Sequence, residues 1–211
     1  MLFLDEFPEF TRQSMEALRQ PLEDGAVSIS RVAGTLSYPC SVMLVAAMNP
    51  CPCGFFGHPS RACTCSDRAA ANYLGRISGP LLDRLDLHVE VPSARYTELT
   101  DKTPSESSAD VRGRVNAARA VQRRRFTGTG VLCNARITPA LLQKTCPLTD
   151  AASDLLKKAF ERMGLSARGY DRILKVARTI ADLDDQEVIG DGHIAQAVQY
   201  RSLDRKYWQR G

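Results

Sequence analysis

The chain has 211 residues, 44% of them hydrophobic and 25% charged, which is ordinary for a globular protein with one large or two small domains. Its net charge of +4 permits nucleic-acid binding without requiring it. The sequence has no recognisable signal peptide and no apolar run near the ~20 residues that cross a membrane, so we expect a cytoplasmic protein without a membrane partner.

The first hundred residues show the pattern of an α/β domain. Residues 2–4 predict a short buried strand that runs into Asp5 and Glu6. Residues 11–19 predict a helix, which Pro21 and Gly25 end. Residues 26–31 alternate apolar and polar side chains, and with residues 35–38 they predict a hairpin.

A second buried strand follows the hairpin. The continuous apolar run 42–47 predicts a strand buried on both faces of a parallel sheet, and it stops at Asn49. After a cysteine-rich loop we expect a helix near residues 66–74, a helical turn at 81–85 and a strand at 87–91.

The remainder of the chain is predicted to be helical. We assign residues 1–100 to the α/β domain, the polar segment 101–110 to a linker, and 111–211 to a helical domain. Thr149 and Ser166 are predicted helix N-caps, and Gly164 a C-terminal stop. The predicted helices are residues 111–126, 138–145, 149–163, 166–183 and 191–200.

Polar side chains end both predicted parallel strands. At the carboxyl end of a strand, Asp5 can hold Mg²⁺ through water and Glu6 can polarise an attacking water. The alternative is that the two acids only mark the end of the strand. Asn49 can orient a water or contact a γ-phosphate. Its alternative is a turn residue before Pro50.

Two arginines are candidates for phosphate charge. Arg84, at a helix end expected to be exposed, can reach the nucleotide of a neighbouring subunit, or else pair with Asp83 or Asp86. Arg168, in the first turn after Ser166, can face a ligand held between the domains, with Arg172 as a second choice. The alternative for Arg168 is an ordinary surface arginine.

Four cysteines lie within 15 residues, as two C-x-C pairs. Cys51, Cys53, Cys63 and Cys65 can close one tetrahedral zinc site, with His58 as a substitute ligand. The alternative is a set of reduced thiols in an exposed loop, where they would be open to oxidation.

Basic side chains suggest contact with DNA. Arg31 lies near the predicted hairpin tip. Arg112, Arg119 and Arg123 fall near one face of the first helix after the linker, where they can contact DNA phosphates or acids of another subunit. A solvated helix face is the plain alternative for this second group.

The order of these motifs resembles the second half of an AAA+ ATPase module. In particular LFLDEFPEF, MEALRQPLEDGAVSISR, AAMNPCPCGFFG, CTCS, ISGPLLDRLDLHVEVP and LSARGYDRILKVARTIADL closely resemble the magnesium-chelatase-like bacterial proteins of the ComM/YifB type. The resemblance implies a partial P-loop NTPase core, truncated at its N-terminus, followed by a helical lid domain.

The resemblance also implies roles for individual residues. Asp5 matches the Walker B magnesium ligand and Glu6 the catalytic acid, while Asn49 matches sensor 1. Arg84 matches the arginine finger and Arg168 sensor 2 on the lid. The hairpin that carries Arg31 matches one that faces the pore in related motors, so ATP with Mg²⁺, DNA and a hexameric ring are expected.

One element of the family pattern is absent from the sequence. No G-x-x-x-x-G-K-[ST] phosphate loop occurs, so we expect the C-terminal part of a longer protein, inactive alone as an ATPase. Two alternatives stay open. One is the ATPase subunit of a true magnesium chelatase, and the other is a non-catalytic zinc-containing DNA-binding or assembly module.

Overall fold

The computed structural model describes residues 1–32, 34–58, 60–94, 96, 100–101 and 103–201. The chain forms two compact units, of which the first runs from Met1 to Leu85 and the second begins at Asp86. The break between compact units therefore precedes the linker predicted at residues 101–110, and the division into functional domains at that linker stays a prediction.

The first unit is a mixed α/β structure. In its described part, four strands, β1 (Leu2–Leu4), β2 (Ala26–Arg31), β3 (Gly34–Pro39) and β4 (Leu44–Ala46), form two separate two-stranded sheets. β1 and β4 are parallel neighbours, with Leu2 opposite Leu44 and Leu4 opposite Ala46. The parallel pairing predicted from the apolar run is thus present.

The prediction that this run is buried on both faces is wrong. Phe3 and Val45 are cross-strand partners on one face of the sheet, and their exposed fractions are 56% and 39%. The opposite face, with Leu4 and Ala46, packs on the core of the unit. The sheet is covered on one side only, because the described helices of this unit pack against that side.

Short helices complete the first unit. They are a 3₁₀ turn (Phe7–Glu9), α1 (Arg12–Ala17), α2 (Arg19–Asp24), α3 (Asp67–Leu74) and α4 (Gly79–Leu82). The core side chains of this unit are Phe7, Met15, Leu81 and Leu82 from these helices and Ile77 from the segment between α3 and α4.

The predicted helix stop at Pro21 is also wrong. Pro21 is the third residue of α2, where the missing N–H costs no intrahelical hydrogen bond. The chain bends instead at Leu18, between α1 and α2, and α2 ends at Gly25, which adopts a left-handed conformation.

The predicted hairpin forms, and its two faces differ. Val27 pairs with Tyr38 and Ile29 with Leu36, so one face is apolar. The other face carries hydroxyl groups, with Ser28 opposite Ser37 and Ser30 opposite Thr35. Arg31 lies opposite Gly34 at the far end and is exposed.

The strand predicted at residues 87–91 is absent from the structure. The segment has no regular secondary structure and its apolar side chains are exposed. Its His88 N–H donates a hydrogen bond to the Tyr200 carbonyl (2.8 Å), and no strand pairs with it among the described residues. Alternation alone does not make a strand, because a strand needs a neighbour for its backbone groups.

The second unit is helical, as predicted. Its helices are α5 (Ser108–Arg125), α6 (Pro139–Thr145), α7 (Asp150–Met163), α8 (Ala167–Leu183) and α9 (Asp191–Gln199), with a 3₁₀ turn at Asn134–Arg136. Thr149 and Ser166 cap α7 and α8, and Gly164 ends α7 with φ 59°. No helix in the described ranges is long and apolar enough to cross a membrane.

A buried charge network holds α8 to its surroundings. The Asp182 carboxylate accepts hydrogen bonds from Arg178 Nε (3.0 Å), Arg125 (2.9 Å) and Asn134 Nδ2 (2.7 Å). Arg178 also donates to the backbone carbonyls of Gln186 and Glu187, beyond the end of α8. The network therefore fixes α5, α8 and the following loop relative to one another.

Candidate nucleotide site and cysteine cluster

The acidic pair leaves β1 between two hydrogen bonds to Ala47, the residue that follows β4. The Ala47 N–H donates to the Leu4 carbonyl (2.9 Å), and the Ala47 carbonyl accepts from the Phe7 N–H (3.0 Å). Asp5 and Glu6 are the two residues between these bonds, and both are exposed. Their backbone position is therefore tied to the end of β4, just before Asn49.

Glu6 has an unusual backbone conformation. Its φ of 50° and ψ of 44° lie in the left-handed region, and Asp185 is the other described non-glycine residue with a positive φ. The Glu6 N–H donates to Asp5 Oδ1 (2.9 Å), which couples the two acids. Such conformations are disfavoured outside glycine, and they occur often at functional sites.

Asn49 lies at the same end of the sheet as the acids. Two residues separate it from Ala46, the last residue of β4, and its side chain is exposed. A Cβ built on Gly54 would lie 3.9 Å from Asn49 Oδ1, so the cysteine-rich loop folds back onto this amide. The structure thus brings Asp5, Glu6 and Asn49 to one edge, and their roles there stay predictions.

Tyr73 of α3 belongs to the same surroundings, although the sequence did not single it out. Burial raises the pKa of the Tyr73 phenol, and the charges of Glu9 and Glu6 add to the rise, while the Asn49 backbone amide opposes it. The sequence did carry one indication of its burial, because Tyr73 lies one helical turn after Ala70, on the buried side of α3. That spacing predicts burial but does not identify a neighbour.

The prediction that Arg84 lies at an exposed helix end is wrong, because its side chain is nearly buried. It is 7% exposed and forms an ion pair with Glu23 of α2. Its guanidinium also donates to the Pro80 carbonyl (2.6 Å). Glu23 is therefore an ion-pair partner that sequence reasoning missed, since 61 residues separate it from Arg84.

The remaining predicted cations lie apart from this edge in the chain. Arg168 is exposed in the first turn of α8, in the second unit, and Arg172 pairs with Asp86 of the same unit. Arg31 is exposed at the end of β2. The sensor 2 and DNA-contact roles of Arg168 and Arg31 stay predictions.

The four cysteines of the loop converge on one point. The sulfurs of Cys51, Cys53, Cys63 and Cys65 all lie within 4.8 Å of one another. Sγ of Cys53 is 3.4 Å from that of Cys51 and 3.5 Å from that of Cys63. Zinc–sulfur bonds of about 2.3 Å place the four ligands of a tetrahedral ion roughly 3.8 Å apart, so the donor set fits a single zinc ion.

Neighbouring thiols and backbone amides both shift the pKa of Cys53 and the pKa of Cys63. Backbone amides of Phe55 and Thr64 lower the pKa of Cys53 to about 5. The Cys65 amide acts in the same direction on Cys63, yet burial and the neighbouring thiols outweigh it and raise the pKa of Cys63 to about 12. One thiolate already forms readily in this cluster, and a bound cation would favour the others.

His58 is not part of the cluster, contrary to its prediction as a substitute ligand. Its Nδ1 accepts a hydrogen bond from the Ser60 N–H (3.2 Å). Its ring packs edge-on against Phe55, with ring centres 5.8 Å apart. The metal-ligand group found in the described residues consists of the four cysteines.

Comparisons with known proteins agree with this arrangement of motifs. Residues 1–99 match the family described as magnesium chelatase, subunit ChlI, and residues 105–201 match the family described as magnesium chelatase, subunit ChlI C-terminal. The chain belongs to the magnesium-chelatase-like family.

Within that family the similar curated proteins include two of the ComM/YifB type. The chain is 43% identical to the competence protein ComM of Haemophilus influenzae and 42% identical to the uncharacterized protein YifB of Escherichia coli, each over 97% of this chain. It is 39% identical to the uncharacterized protein Mb2921c of Mycobacterium bovis over 95% of this chain. The chain spans about 40% of the length of these relatives.

Proposed function

We propose that these 211 residues are the Walker B, sensor and lid portion of an ATP-driven AAA+ motor that acts on DNA. The work proposed for the whole motor is branch migration or helicase-type remodelling, as in recombination and transformation. The chain alone is proposed to be inactive as an ATPase, since the 211 residues contain no glycine–lysine phosphate loop. The motor is proposed to be a cytoplasmic homo-oligomeric ring, a hexamer.

The observation that carries the proposal is the pairing of both strand ends around Ala47. Two exposed carboxylates and an exposed amide share one edge of a parallel sheet, where α/β sheets bind their ligands. Asp5 is proposed to hold Mg²⁺ through water, Glu6 to activate the attacking water, and Asn49 to orient that water against the γ-phosphate.

The two arginines complete this proposal from different places. Arg84 is proposed to be presented to the nucleotide of the next subunit, which requires its release from Glu23. Arg168 is proposed to face the phosphates from the lid. The hairpin with Arg31 is proposed to contact DNA phosphates.

Zinc is the second proposed cofactor. The sulfur spacing and the amides aimed at Cys53 favour one structural zinc ion at the four cysteines. With four thiolate ligands the coordination sphere would be closed, so this zinc supplies rigidity rather than chemistry at a substrate.

The ATPase subunit of a magnesium chelatase is the second candidate. The descriptions of both matching families name that subunit. The 43% identity to a competence protein favours the DNA motor. A non-catalytic zinc-containing DNA-binding or assembly module is the remaining alternative.

A chimera separates these candidates. The 211 residues would replace the matching 40% of E. coli YifB, with unaltered YifB as the control. We expect ATP turnover in the chimera that duplex or branched DNA stimulates. Stimulation by porphyrin-handling partner proteins without any effect of DNA would favour the chelatase subunit. Absence of turnover in an assembled chimera, while YifB itself is active, would favour the non-catalytic module.

A further inference from the structure

The two ends of the cysteine loop lead directly into the candidate nucleotide site. On one side Cys51 follows Asn49 with Pro50 between them. On the other side Ser66, the residue after Cys65, caps α3 by accepting a hydrogen bond from the Ala69 N–H (3.2 Å). A link between the cysteine pairs would therefore set the distance from the end of β4 to the start of α3.

Contacts inside the loop reach the same residues. The Gly54 N–H donates to the Cys51 carbonyl (3.0 Å), which forms a tight turn, and Gly54 adopts φ 80°. This turn places Gly54 beside the Asn49 side chain, since a Cβ built on Gly54 would lie 3.9 Å from Oδ1. The Asn49 backbone amide also acts on the Tyr73 hydroxyl of α3, whose pKa it lowers against the effect of burial. Asn49 thus lies between the loop and α3.

We propose that a zinc ion bound by Cys51, Cys53, Cys63 and Cys65 positions Asn49, by closing the loop whose turn lies beside that residue and whose far end begins α3. The cysteines are then positioning residues that act through Asn49. The importance of Asn49 for nucleotide rests on the proposed function, whereas the binding of zinc and the ordering of Asn49 by it do not.

Other uses of the four sulfurs fit the geometry less well. All four cysteines are free thiols, and the Cys51 and Cys53 sulfurs are 3.4 Å apart, far beyond the roughly 2.05 Å of a disulfide. An iron–sulfur cluster holds its cysteines apart by the width of several bridged atoms, whereas these sulfurs all fall within 4.8 Å. The arrangement that fits best is therefore a single metal ion that prefers four tetrahedral sulfur ligands.

The first test is metal content, measured by emission spectrometry on the 211-residue chain purified under reducing, chelator-free conditions. We expect about one zinc per chain. The zinc content of a Cys53→Ser/Cys63→Ser double variant should be at least tenfold lower. Cys133→Ser, which changes a cysteine outside the cluster, should keep its zinc. Cobalt substitution should give the visible absorption of a tetrahedral thiolate site. Zinc-free protein, or a double variant that keeps its zinc, would overturn the proposal.

The second test asks whether the metal positions Asn49 or only supports the unit. Hydrogen–deuterium exchange would be compared before and after chelation and after zinc is returned. We expect exchange to rise about tenfold or more in residues 47–54 and 66–74, with recovery on adding zinc, and little change in α1. The α7 and α8 helices serve as a reference in the other unit.

Two results would reject the positioning role. One is unchanged exchange at residues 47–54 after complete zinc removal, and the other is an equal rise across α1 and both site segments, which indicates general support. Neither measurement involves ATP or DNA. A chimera without ATPase activity would therefore leave the metal result standing, and loss of the metal result would leave the ATPase result standing.

Discussion

Arg84 and Glu23 form an ion pair in which the arginine is nearly buried and the glutamate is 38% exposed. Arg84 Nε is also buried and has no hydrogen-bond partner among the described residues. The pair joins α2 to the turn after α4. It holds the proposed arginine finger inside its own unit, so any use of Arg84 by a neighbouring subunit involves breaking this contact.

The pair predicts an uneven response to mutation. Glu23→Ala leaves the Arg84 charge without its acid, and we expect a loss of roughly 2 kcal/mol in the local stability of α2. This is below the ~3–5 kcal/mol of fully buried pairs, because Glu23 is partly solvated. The measurement is the free energy of amide opening from hydrogen exchange. Glu106→Ala, which removes an exposed pair with Arg114, is the control and should change stability by less than about 1 kcal/mol. Equal effects of the two variants would refute the structural importance of the buried pair.

The acidic pair gives a second prediction. In the chimera with YifB, Glu6→Gln should retain ATP binding and lower turnover by about 10²–10⁴-fold, since a neutral amide cannot activate water. Glu9→Gln is the matched control. Glu9 is an exposed carboxylate three residues later that binds Arg76 (2.8 Å) and lies outside the proposed chemistry. Turnover retained by Glu6→Gln, or lost equally in Glu9→Gln, would remove Glu6 from its proposed role.

The hairpin and α5 offer competing sites for DNA phosphates. If Arg31 makes a phosphate contact, Arg31→Gln in the chimera should weaken DNA binding and lower the slope of log K against log salt by about 1. Arg123→Gln, which changes an exposed arginine of α5, tests the alternative. A change in slope for Arg123→Gln alone would move the interface to α5.

Asp182 predicts a large loss of stability in the second unit. Asp182→Asn leaves Arg178, whose side chain is fully buried, without its counter-charge, and we expect a cost of about 3–5 kcal/mol. Asp184→Asn is the control, since Asp184 is 59% exposed and its pair with His193 is peripheral. Hydrogen exchange of α8 measures the loss of stability in each variant. Comparable losses in Asp182→Asn and Asp184→Asn would contradict the importance of the network.

The same residue predicts how stability depends on pH. Burial raises the pKa of the Asp182 carboxyl, but hydrogen bonds from Arg125 and Asn134 and the charge of Arg178 outweigh it and hold the pKa below its usual value. The stabilisation is therefore complete above the unfolded Asp pKa of ~3.9 and is lost as pH falls through the lower folded value. Acid unfolding of the second unit, followed by circular dichroism, should lose this dependence in Asp182→Asn. An acid transition that is the same in Asp182→Asn as in the unaltered chain would contradict this role of Asp182.

The sequence predicted most of the helices and the edge that carries the candidate site. Thr149, Ser166 and Gly164 act locally, so their effect on α7 and α8 could be read without tertiary structure. Asn49 could be placed near the acids because parallel strands end at the same edge of a sheet.

The rest depended on distant contacts. No local pattern distinguishes an arginine at an exposed helix end from one that pairs with an acid 61 residues earlier in the chain, as Arg84 does. The alternation at residues 87–91 was real, but whether a strand forms depends on a partner elsewhere. The nearness of Gly54 to the Asn49 side chain likewise follows from the folding of the whole cysteine loop.

Both backbone groups of Ala47 are committed to the chain on either side of the acids. Sliding β4 along β1 would break both hydrogen bonds at once, so the two carboxylates and the amide of Asn49 keep a fixed position relative to one another. Anyone who transplants this edge into another scaffold would have to carry residues 2–7 and 44–49 together, since either segment alone would lose the bonds that hold the acids out from the sheet.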